Sequence, residues 1–207
     1  ADKDLIINIP AMKSDSRFVV SGALENMTRV LDKKSQVKLF AEDIRKGLDI
    51  INVPQLVIGD AVLSMQGDGP ILGEPGFMNM IIAGKDPVSV DEVFCKLIMA
   101  DAPDYVKNTK GNHDPKIGGE ELGACRYPIK RPEKGATPNN DIKILGESPC
   151  PLCYYSTIGA LSKLVTVRGK ETFICMGAHF EKSELEGKDR LVALGDEAIE
   201  AFKKLGI

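Results

Sequence analysis

The chain has no tryptophan and few aromatic residues, which make up 5 % of its 207 positions. Stacking on aromatic side chains is a common way to hold single-stranded nucleic acid, so this composition argues against that function. The net charge of −3 offers no basic surface for duplex nucleic acid or an anionic membrane. No apolar run approaches the roughly 20 residues that a membrane-spanning helix needs. We therefore expect neither a nucleic-acid partner nor a membrane.

Cysteine is scarce and unevenly spaced, with five residues in the chain. These are Cys95, Cys125, Cys150, Cys153 and Cys175. An odd, irregular set does not make a disulfide framework, and a chain of this length can bury a core without one. The opening residues are too polar for a signal peptide. We therefore expect free thiols and a reducing, cytoplasmic location.

Short apolar runs alternate with segments of helical periodicity along most of the chain. Strands are predicted over 4–9, 55–63, 77–83, 142–145 and 171–176. Helices are predicted over 19–31, 41–51, 87–100, 103–109, 154–165 and 189–205. This alternation predicts an α/β fold with three layers, in which a mixed or largely parallel sheet has helices on both faces.

The composition changes at Gly111, after which glycine, proline, lysine and glutamate dominate as far as Asn140. A loop of this length is usually functional or mobile. It separates an α/β core over 1–110 from a C-terminal βαβα portion over 141–207. We expect both portions to belong to the same domain.

Two turns rich in glycine, aspartate and proline follow apolar segments, at 67–70 and 84–87. If those segments are neighbouring parallel strands, both turns lie at the carboxyl edge of the sheet, where α/β proteins place ligands. Backbone N–H groups of the first turn suit an anion, and Asp68 suits a magnesium ion. The predicted ligand-binding residues are Lys13, Gly67, Asp68, Gly69, Asp86 and Asp91. The simpler alternatives are ordinary turn chemistry and, for Asp86 and Asp91, helix capping and dipole compensation.

The Cys150-Pro-Leu-Cys153 motif is the most specific chemical signal in the chain. Its spacing lets two thiolates face one centre, as in zinc and iron–sulfur sites, and the following helix would lower their pKa. Cys175 and Cys125 are the candidates for the remaining ligands, and His179 is a weaker one. A redox dithiol and incidental buried thiols remain open as alternatives. We expect Cys95 in a helix core and His113 in an exposed loop.

Several short segments together resemble a known family, the domain-of-unknown-function family numbered 362. They are Asp4-Leu-Ile-Ile-Asn-Ile-Pro10 with Lys13, Gly22-Ala-Leu-Glu-Asn26, Gln66-Gly-Asp-Gly-Pro70, Gly73-Glu-Pro75, and Gly84-Lys-Asp-Pro87 through Val90-Asp91. The resemblance covers about residues 1–125. Members often carry ferredoxin-type iron–sulfur segments and have a further segment before the opening strand, so the chain looks like the later part of such a protein.

The chain departs from the family pattern at two places. Lys13-Ser-Asp15 stands where the family usually has Lys-Thr-His, and Glu25-Asn26 stands where it has Lys-Asn. The resemblance implies a cytoplasmic redox or cluster-linked protein, and it supplies no established catalytic residues.

Two functional hypotheses follow from these patterns. The first is a redox- or iron–sulfur-associated protein that binds an anionic or metal-bound small molecule at the turns over 67–91, with a ferredoxin-like domain or protein as partner. The second is a non-catalytic ligand-binding or structural module with zinc or free thiols at Cys150 and Cys153. Neither a nucleophile elbow nor a kinase signature is present in the sequence.

Overall fold

A computed structural model describes most of the chain. The described residues are 5–30, 55–133, 137–139, 141–146, 149, 151–163, 171–177 and 180–207. They divide into two compact units, one ending at Pro132 and the other beginning at Glu133. The predicted helix over 41–51 lies outside the described residues, as do Cys150 and His179. Within the described ranges, no helix is long and apolar enough to cross a membrane.

The first unit is built on a six-stranded mixed sheet. Its strands are β1 (Ile6–Asn8), β2 (Ala11–Asp15), β3 (Val19–Ser21), β4 (Gln55–Asp68), β5 (Leu72–Gly76) and β6 (Met80–Gly84). On one edge of β4, β1 and β2 run parallel to it, and β3 pairs antiparallel with β2. On the other edge, β5 and β6 both run antiparallel to β4. The predicted α/β class with a mixed sheet is thus confirmed.

The long strand β4 is central because its residues alternate between the two faces of the sheet. Val57 and Ala61 are fully buried, whereas the neighbouring Leu56 and Val62 are exposed. Gly59 lies on the buried face, where a Cβ would approach the Met12 side chain to 3.0 Å. The missing side chain lets β2 and β4 lie close together here.

Among the residues that the structure describes, three helices accompany this sheet: α1 (Ala23–Met27), α2 (Pro87–Leu97) and α3 (Asp104–Asn108). A short 3-10 turn over Thr28–Val30 continues α1. Buried apolar side chains of α1 and α2 pack together, among them Leu24, Met27 and Phe94. The predicted helix over 19–31 is wrong in its first turn, because residues 19–21 form a strand beside β2. The spacing of their apolar side chains is compatible with a helix or with a strand, and these residues form a strand because they pair with β2.

The second unit contains a three-stranded parallel sheet in the order β7 (Ile142–Leu145), β8 (Thr172–Cys175), β9 (Leu191–Ala193). Its helices are α4 (Pro151–Leu161), α5 (Lys182–Leu185) and α6 (Asp196–Leu205). Cys175, Leu185 and Phe202 form its buried apolar cluster. The predicted helix over 189–205 is wrong in its first part, which forms β9. The helix begins only after Gly195, whose φ of +93° favours glycine.

Candidate functional site

The two turns rich in glycine and aspartate lie at different ends of β4. Gly84 pairs with Val57 near the start of this strand, whereas Gly67 and Gly73 pair at its end. The separation along β4 corresponds to roughly 30 Å of strand. The expectation that parallel neighbouring strands bring both turns to one edge is therefore wrong, because β6 returns antiparallel to β4 through β5 and not through a crossover helix.

The main-chain donors of the first turn are already hydrogen-bonded. Gly67 N–H donates to the Lys130 carbonyl at 2.7 Å, and Gly69 N–H donates to the Gly67 carbonyl at 2.8 Å. The Gly69 carbonyl accepts from both N–H and Oγ of Ser16. A Cβ at Gly69 would lie 2.3 Å from the Ser14 carbonyl oxygen. This turn therefore holds β2 against the end of β4, and the N–H groups of Gly67 and Gly69 already have main-chain acceptors.

Lys13 and Asp68 lie near this turn and are both half-buried. Lys13 is on β2, in register with Ser21 and Met65. The sequence prediction missed a buried ion pair at the end of the same strand. Asp15 and Arg17 contact at 2.9 Å, and both side chains are completely buried. The signal for it is an aspartate followed two residues later by an arginine of opposite charge.

Asp91 is buried inside the first unit and joins two helices. Its carboxylate accepts hydrogen bonds from Ala23 N–H at 2.6 Å and from Leu24 N–H at 2.9 Å. Burial raises the pKa of Asp91 to about 7, and the two hydrogen bonds oppose this shift. Asp91 thus caps the start of α1 from its place on α2. A ligand in solution has no access to this carboxylate, which is 1 % exposed.

Asp86 caps α2 and ties it to the following long loop. Its carboxylate accepts from the N–H groups of Val88 and Ser89 and from Ser89 Oγ. It also accepts from Asn112 N–H at 2.7 Å. The helix therefore begins after Asp86, with Pro87 in its first turn.

The long loop after α3 lies against α2. Residues 109–133 contain neither a helix nor a strand. His113 Nδ1 lies 3.1 Å from Glu92 Oε1, and His113 Nε2 lies 2.9 Å from the Thr109 carbonyl oxygen. The hydrogen bond to Glu92 is the main reason that the pKa of His113 is raised. His113 is exposed, as expected, and it helps to hold the loop in place.

A groove of about 910 Å³ lies between β6, α2 and this loop. Residues 79–84 line one side, and Asn112, residues 114–120, Leu122 and Cys125 line the other. Val90, Val93 and Leu97 of α2 supply its apolar floor. Its volume is in the range of small-molecule pockets. The change of composition at Gly111 was the sequence signal for the loop that forms one side of the groove. The sequence did not show that this loop faces β6.

The rim of the groove carries charges of both signs. Lys85 and Lys116 are exposed there, and so are Asp114 and Glu120. Asp86 also lines the groove, although its carboxylate is engaged by the donors described above. Of the predicted ligand-binding residues, the groove contains Asp86 alone. Gly67, Asp68 and Gly69 are absent from its lining.

The thiols of the described residues occupy different environments, and all four are free of disulfides. Cys95 is buried in α2, and Cys175 is buried in the apolar cluster of the second unit. Burial raises the pKa of the Cys175 thiol to about 11 and that of Cys95 further. Cys125 is half-buried in the groove of the first unit. Cys153 is half-buried in the first turn of α4, 3.6 Å from where a Cβ on Gly195 would lie.

Of the four predicted cysteine ligands, Cys150 lies outside the described ranges, so the ligand set as a whole stays a prediction. Within those ranges, no three or more His, Cys, Asp or Glu side chains are grouped to hold a metal ion. Cys125 belongs to the first unit, whereas Cys153 and Cys175 belong to the second. A thiol in the apolar core with a raised pKa is a poor metal ligand, because ligation requires the thiolate.

The first unit thus has an α/β fold and a groove large enough to hold a small molecule. The sequence profile of the domain-of-unknown-function family DUF362 matches residues 1–96. The resemblance found in the sequence is therefore confirmed over this segment of the chain. The family carries no defined activity in its description.

One curated relative is "Thylakoid-associated protein sll1697" of Synechocystis sp.. It is 24 % identical over 110 residues, which cover 48 % of this chain and 34 % of the relative. The chain thus matches about a third of the length of that relative. No solved structure matches the chain.

Proposed function

We propose that the first unit is a ligand-binding module, and that the groove beside β6 holds a small ligand with an apolar body and an anionic group. The observation that supports this most directly is the groove itself, at about 910 Å³ with an apolar floor of Val90, Val93 and Leu97. Pockets of this size, with an apolar lining and a few polar groups, are the usual form of ligand sites. The sequence patterns predicted a ligand site formed by both turns over 67–91. The proposed ligand lies beside the second turn, over 84–87, and not beside the first.

The anionic group of the ligand is expected beside Lys85 and Lys116. Both ammonium groups are on exposed side chains at the rim. The carboxylate of Asp86 is occupied by main-chain donors and by Ser89, so it competes little for these cations. Asp114 and Glu120 disfavour a second anionic group elsewhere on the rim. The ligand should therefore carry one localised negative charge.

A fluorescence titration with 8-anilinonaphthalene-1-sulfonate tests this proposal, since that probe has an apolar body and one sulfonate. The double variant Lys85→Glu/Lys116→Glu should bind it about tenfold more weakly, because two favourable charges become unfavourable. The control Lys163→Glu/Lys204→Glu changes the net charge equally at two exposed lysines that are absent from the groove lining. Equal loss in both double variants, or no loss in either, would contradict the proposal.

The second candidate function is a thiolate site at Cys150 and Cys153 that holds an iron–sulfur cluster or zinc. The supporting observation is the position of Cys153, half-buried in the first turn of the 11-residue helix α4. The positive end of a helix lowers the pKa of a nearby thiol and favours the thiolate. An iron–sulfur cluster there would supply electron transfer and fit a ferredoxin-like partner, whereas zinc would be structural.

Metal analysis and a visible spectrum of the protein purified without oxygen test the second candidate. Cys153→Ser should lose the bound metal, while Ser156→Ala, an exposed position on the same helix, should retain it. The variants Cys125→Ser and Cys175→Ser show whether either residue contributes a ligand. Stoichiometric metal in the Cys153→Ser variant would refute the assignment, and so would a wild-type protein without iron or zinc.

A further inference from the structure

We infer that the ligand of the groove is a short extended peptide, which adds to the sheet as a strand along the open edge of β6. This inference rests on the proposed function of the groove and names its ligand class. It depends on three features of β6: its unpaired edge, the position of that edge in the groove, and the charges at its end.

The first feature is an edge without a strand partner. β6 pairs with β4 on one side over Met80–Gly84. From the described part of the chain, no other strand and no other hydrogen bond reaches these five residues. In an antiparallel pair, about half of the residues turn both N–H and C=O away from the partner. Such groups are a template for another strand, and proteins normally cover or disrupt an edge that is not used.

The second feature is that the groove runs along this edge and not across a face of the sheet. Its lining contains every residue from Asn79 to Gly84 in sequence. A pocket on a face would contain only every second residue, because neighbouring side chains point to opposite faces. The unpaired main-chain groups of β6 are therefore accessible from within the groove. Strand addition to an open edge is a known mode of peptide recognition.

The environment on the two faces of β6 predicts the side-chain pattern of the peptide. Ile82 is 8 % exposed, on the face that α2 covers, whereas Ile81 is 64 % exposed on the other face. A strand beside β6 would direct alternate side chains towards Val93 and Leu97 on α2 and the others away from that helix. The peptide should therefore carry apolar residues at every second position.

The third feature is the charge at the end of the strand. Lys85 follows Gly84 directly and is exposed, and Lys116 lies on the same groove. Asp114 and Glu120 are also exposed on the rim, which disfavours a peptide with acidic residues along its whole length. The complementary partner has one acidic side chain beside Lys85 and alternating apolar residues along β6.

Hydrogen exchange of the main-chain amides of β6 tests strand addition directly. The probe is a pool of acetylated peptides of about six residues, which match the five of β6, with Val, Ile or Leu at alternate positions and a single Glu. Peptides retained by the immobilised full chain are sequenced, synthesised and titrated. Those amides within Met80–Gly84 that point away from β4 should exchange at least about tenfold more slowly with a bound peptide, because they gain hydrogen bonds.

N-methylation of the peptide backbone distinguishes binding by strand pairing from binding by apolar side-chain contacts alone. Methyl groups on the amides that face β6 should weaken binding about tenfold or more, since two or so hydrogen bonds are lost. Methyl groups on the alternate amides should have little effect. Equal effects of both patterns, or none, would overturn the inference. In the protein, Val93→Glu should abolish peptide binding, while Lys96→Glu, exposed on the same helix, should not.

The outcomes distinguish this inference from the proposed function. If the sulfonate probe binds as expected but no peptide is retained, the groove is a ligand site and the peptide inference is wrong. If the sulfonate probe also fails to bind, the proposed function fails first. If sedimentation shows a dimer whose formation protects the amides of Met80–Gly84, a second copy of the chain occupies the edge, which likewise overturns the inference.

Discussion

The Asp91 carboxylate occupies the space that a side chain on Gly22 would need. A Cβ built on Gly22 would lie 2.2 Å from Asp91 Oδ1, far inside van der Waals contact. The same carboxylate accepts the hydrogen bonds of Ala23 and Leu24. Because residue 22 has no side chain, α2 can cap α1 directly, and these two helices cover the buried face of the first sheet. The glycine and the aspartate therefore depend on each other.

Gly22→Ala should destabilise the first unit by about 2 to 3 kcal/mol, because a methyl group would overlap a buried carboxylate that cannot move without losing its hydrogen bonds. Urea denaturation followed by circular dichroism measures the loss. Gly118→Ala is the matched control, since a Cβ there would meet no atom within 4 Å. A Gly22→Ala variant as stable as the control would contradict the described contact.

The stability of the first unit should depend on pH through Asp91. Burial raises the pKa of Asp91 to about 7, and Glu25 and Asp86 also raise it, against the hydrogen bonds from Leu24 and Ala23. The unfolded chain has the ordinary pKa of about 4, so between these values the folded state binds the additional proton. The contribution of Asp91 is therefore fully present below about pH 4 and is lost as the pH rises to about 7.

The Asp91→Asn variant isolates this effect because it does not titrate at residue 91. The free energy of unfolding of the wild type minus that of Asp91→Asn should fall by up to about 1.4 kcal/mol per pH unit between these limits. Cys95 and Tyr105 are also buried nearby, and the pKa of each is raised further from this range. A difference that is constant or increases with pH would show that the pKa of Asp91 is not raised in the folded protein.

The buried pair of Asp15 and Arg17 predicts an asymmetric mutational response. Asp15→Asn should cost about 3 kcal/mol, because it removes the negative charge that contacts the buried guanidinium of Arg17. The double variant Asp15→Leu/Arg17→Met should cost less than the sum of the single changes. Glu171→Gln removes the exposed pair with Lys143 and should cost under about 1 kcal/mol. Additive effects at 15 and 17 would show that the two side chains act independently.

The elements predicted well from the sequence are those whose local pattern and tertiary environment agree. Ile142–Leu145 was predicted with its observed limits, because it is a short apolar run with turn residues on both sides. The helix after Asp86 was also found, since Pro87 and the capping aspartate mark its start. By contrast, Leu72–Gly76 contains two glycines and a proline and reads as a loop, yet it pairs with the end of β4. Pairing with a distant strand has no local signature.

The candidate site was predicted only in part for the same reason. Asp86 stands out because its turn chemistry is local, and it does line the groove. The direction of β6 relative to β4 determines which turns meet, and single-sequence periodicity carries no information on strand direction. The position of Cys125 in the groove depends on a loop without periodicity. Residues 112–125 could be recognised as unusual, but their contact with α2 could not.

The capping network of Asp86 predicts a coupled loss of stability and ligand binding. Asp86→Ala should cost about 1 to 2 kcal/mol, since the first N–H groups of α2 lose their acceptor. The variant also removes the acceptor of Asn112 N–H, which holds the loop beside the groove. Binding of 8-anilinonaphthalene-1-sulfonate should therefore weaken. Asp104→Ala, at an exposed helix start that makes no side-chain cap, is the control for both measurements. If Asp86→Ala binds the probe as tightly as the wild type does, the hydrogen bond between Asp86 and the loop does not contribute to ligand binding.

The thiols should differ in their rates of alkylation by iodoacetamide, because only the accessible thiolate reacts. Cys125 and Cys153 are half-buried and should be modified first in the native protein. Cys175 is fully buried with a pKa of about 11, and Cys95 is buried with a pKa raised further, so both should react only after unfolding. Mass spectrometry of peptides taken at successive times measures each rate. Rapid native labelling of Cys175 would place its thiol outside the apolar cluster and strengthen its case as a metal ligand.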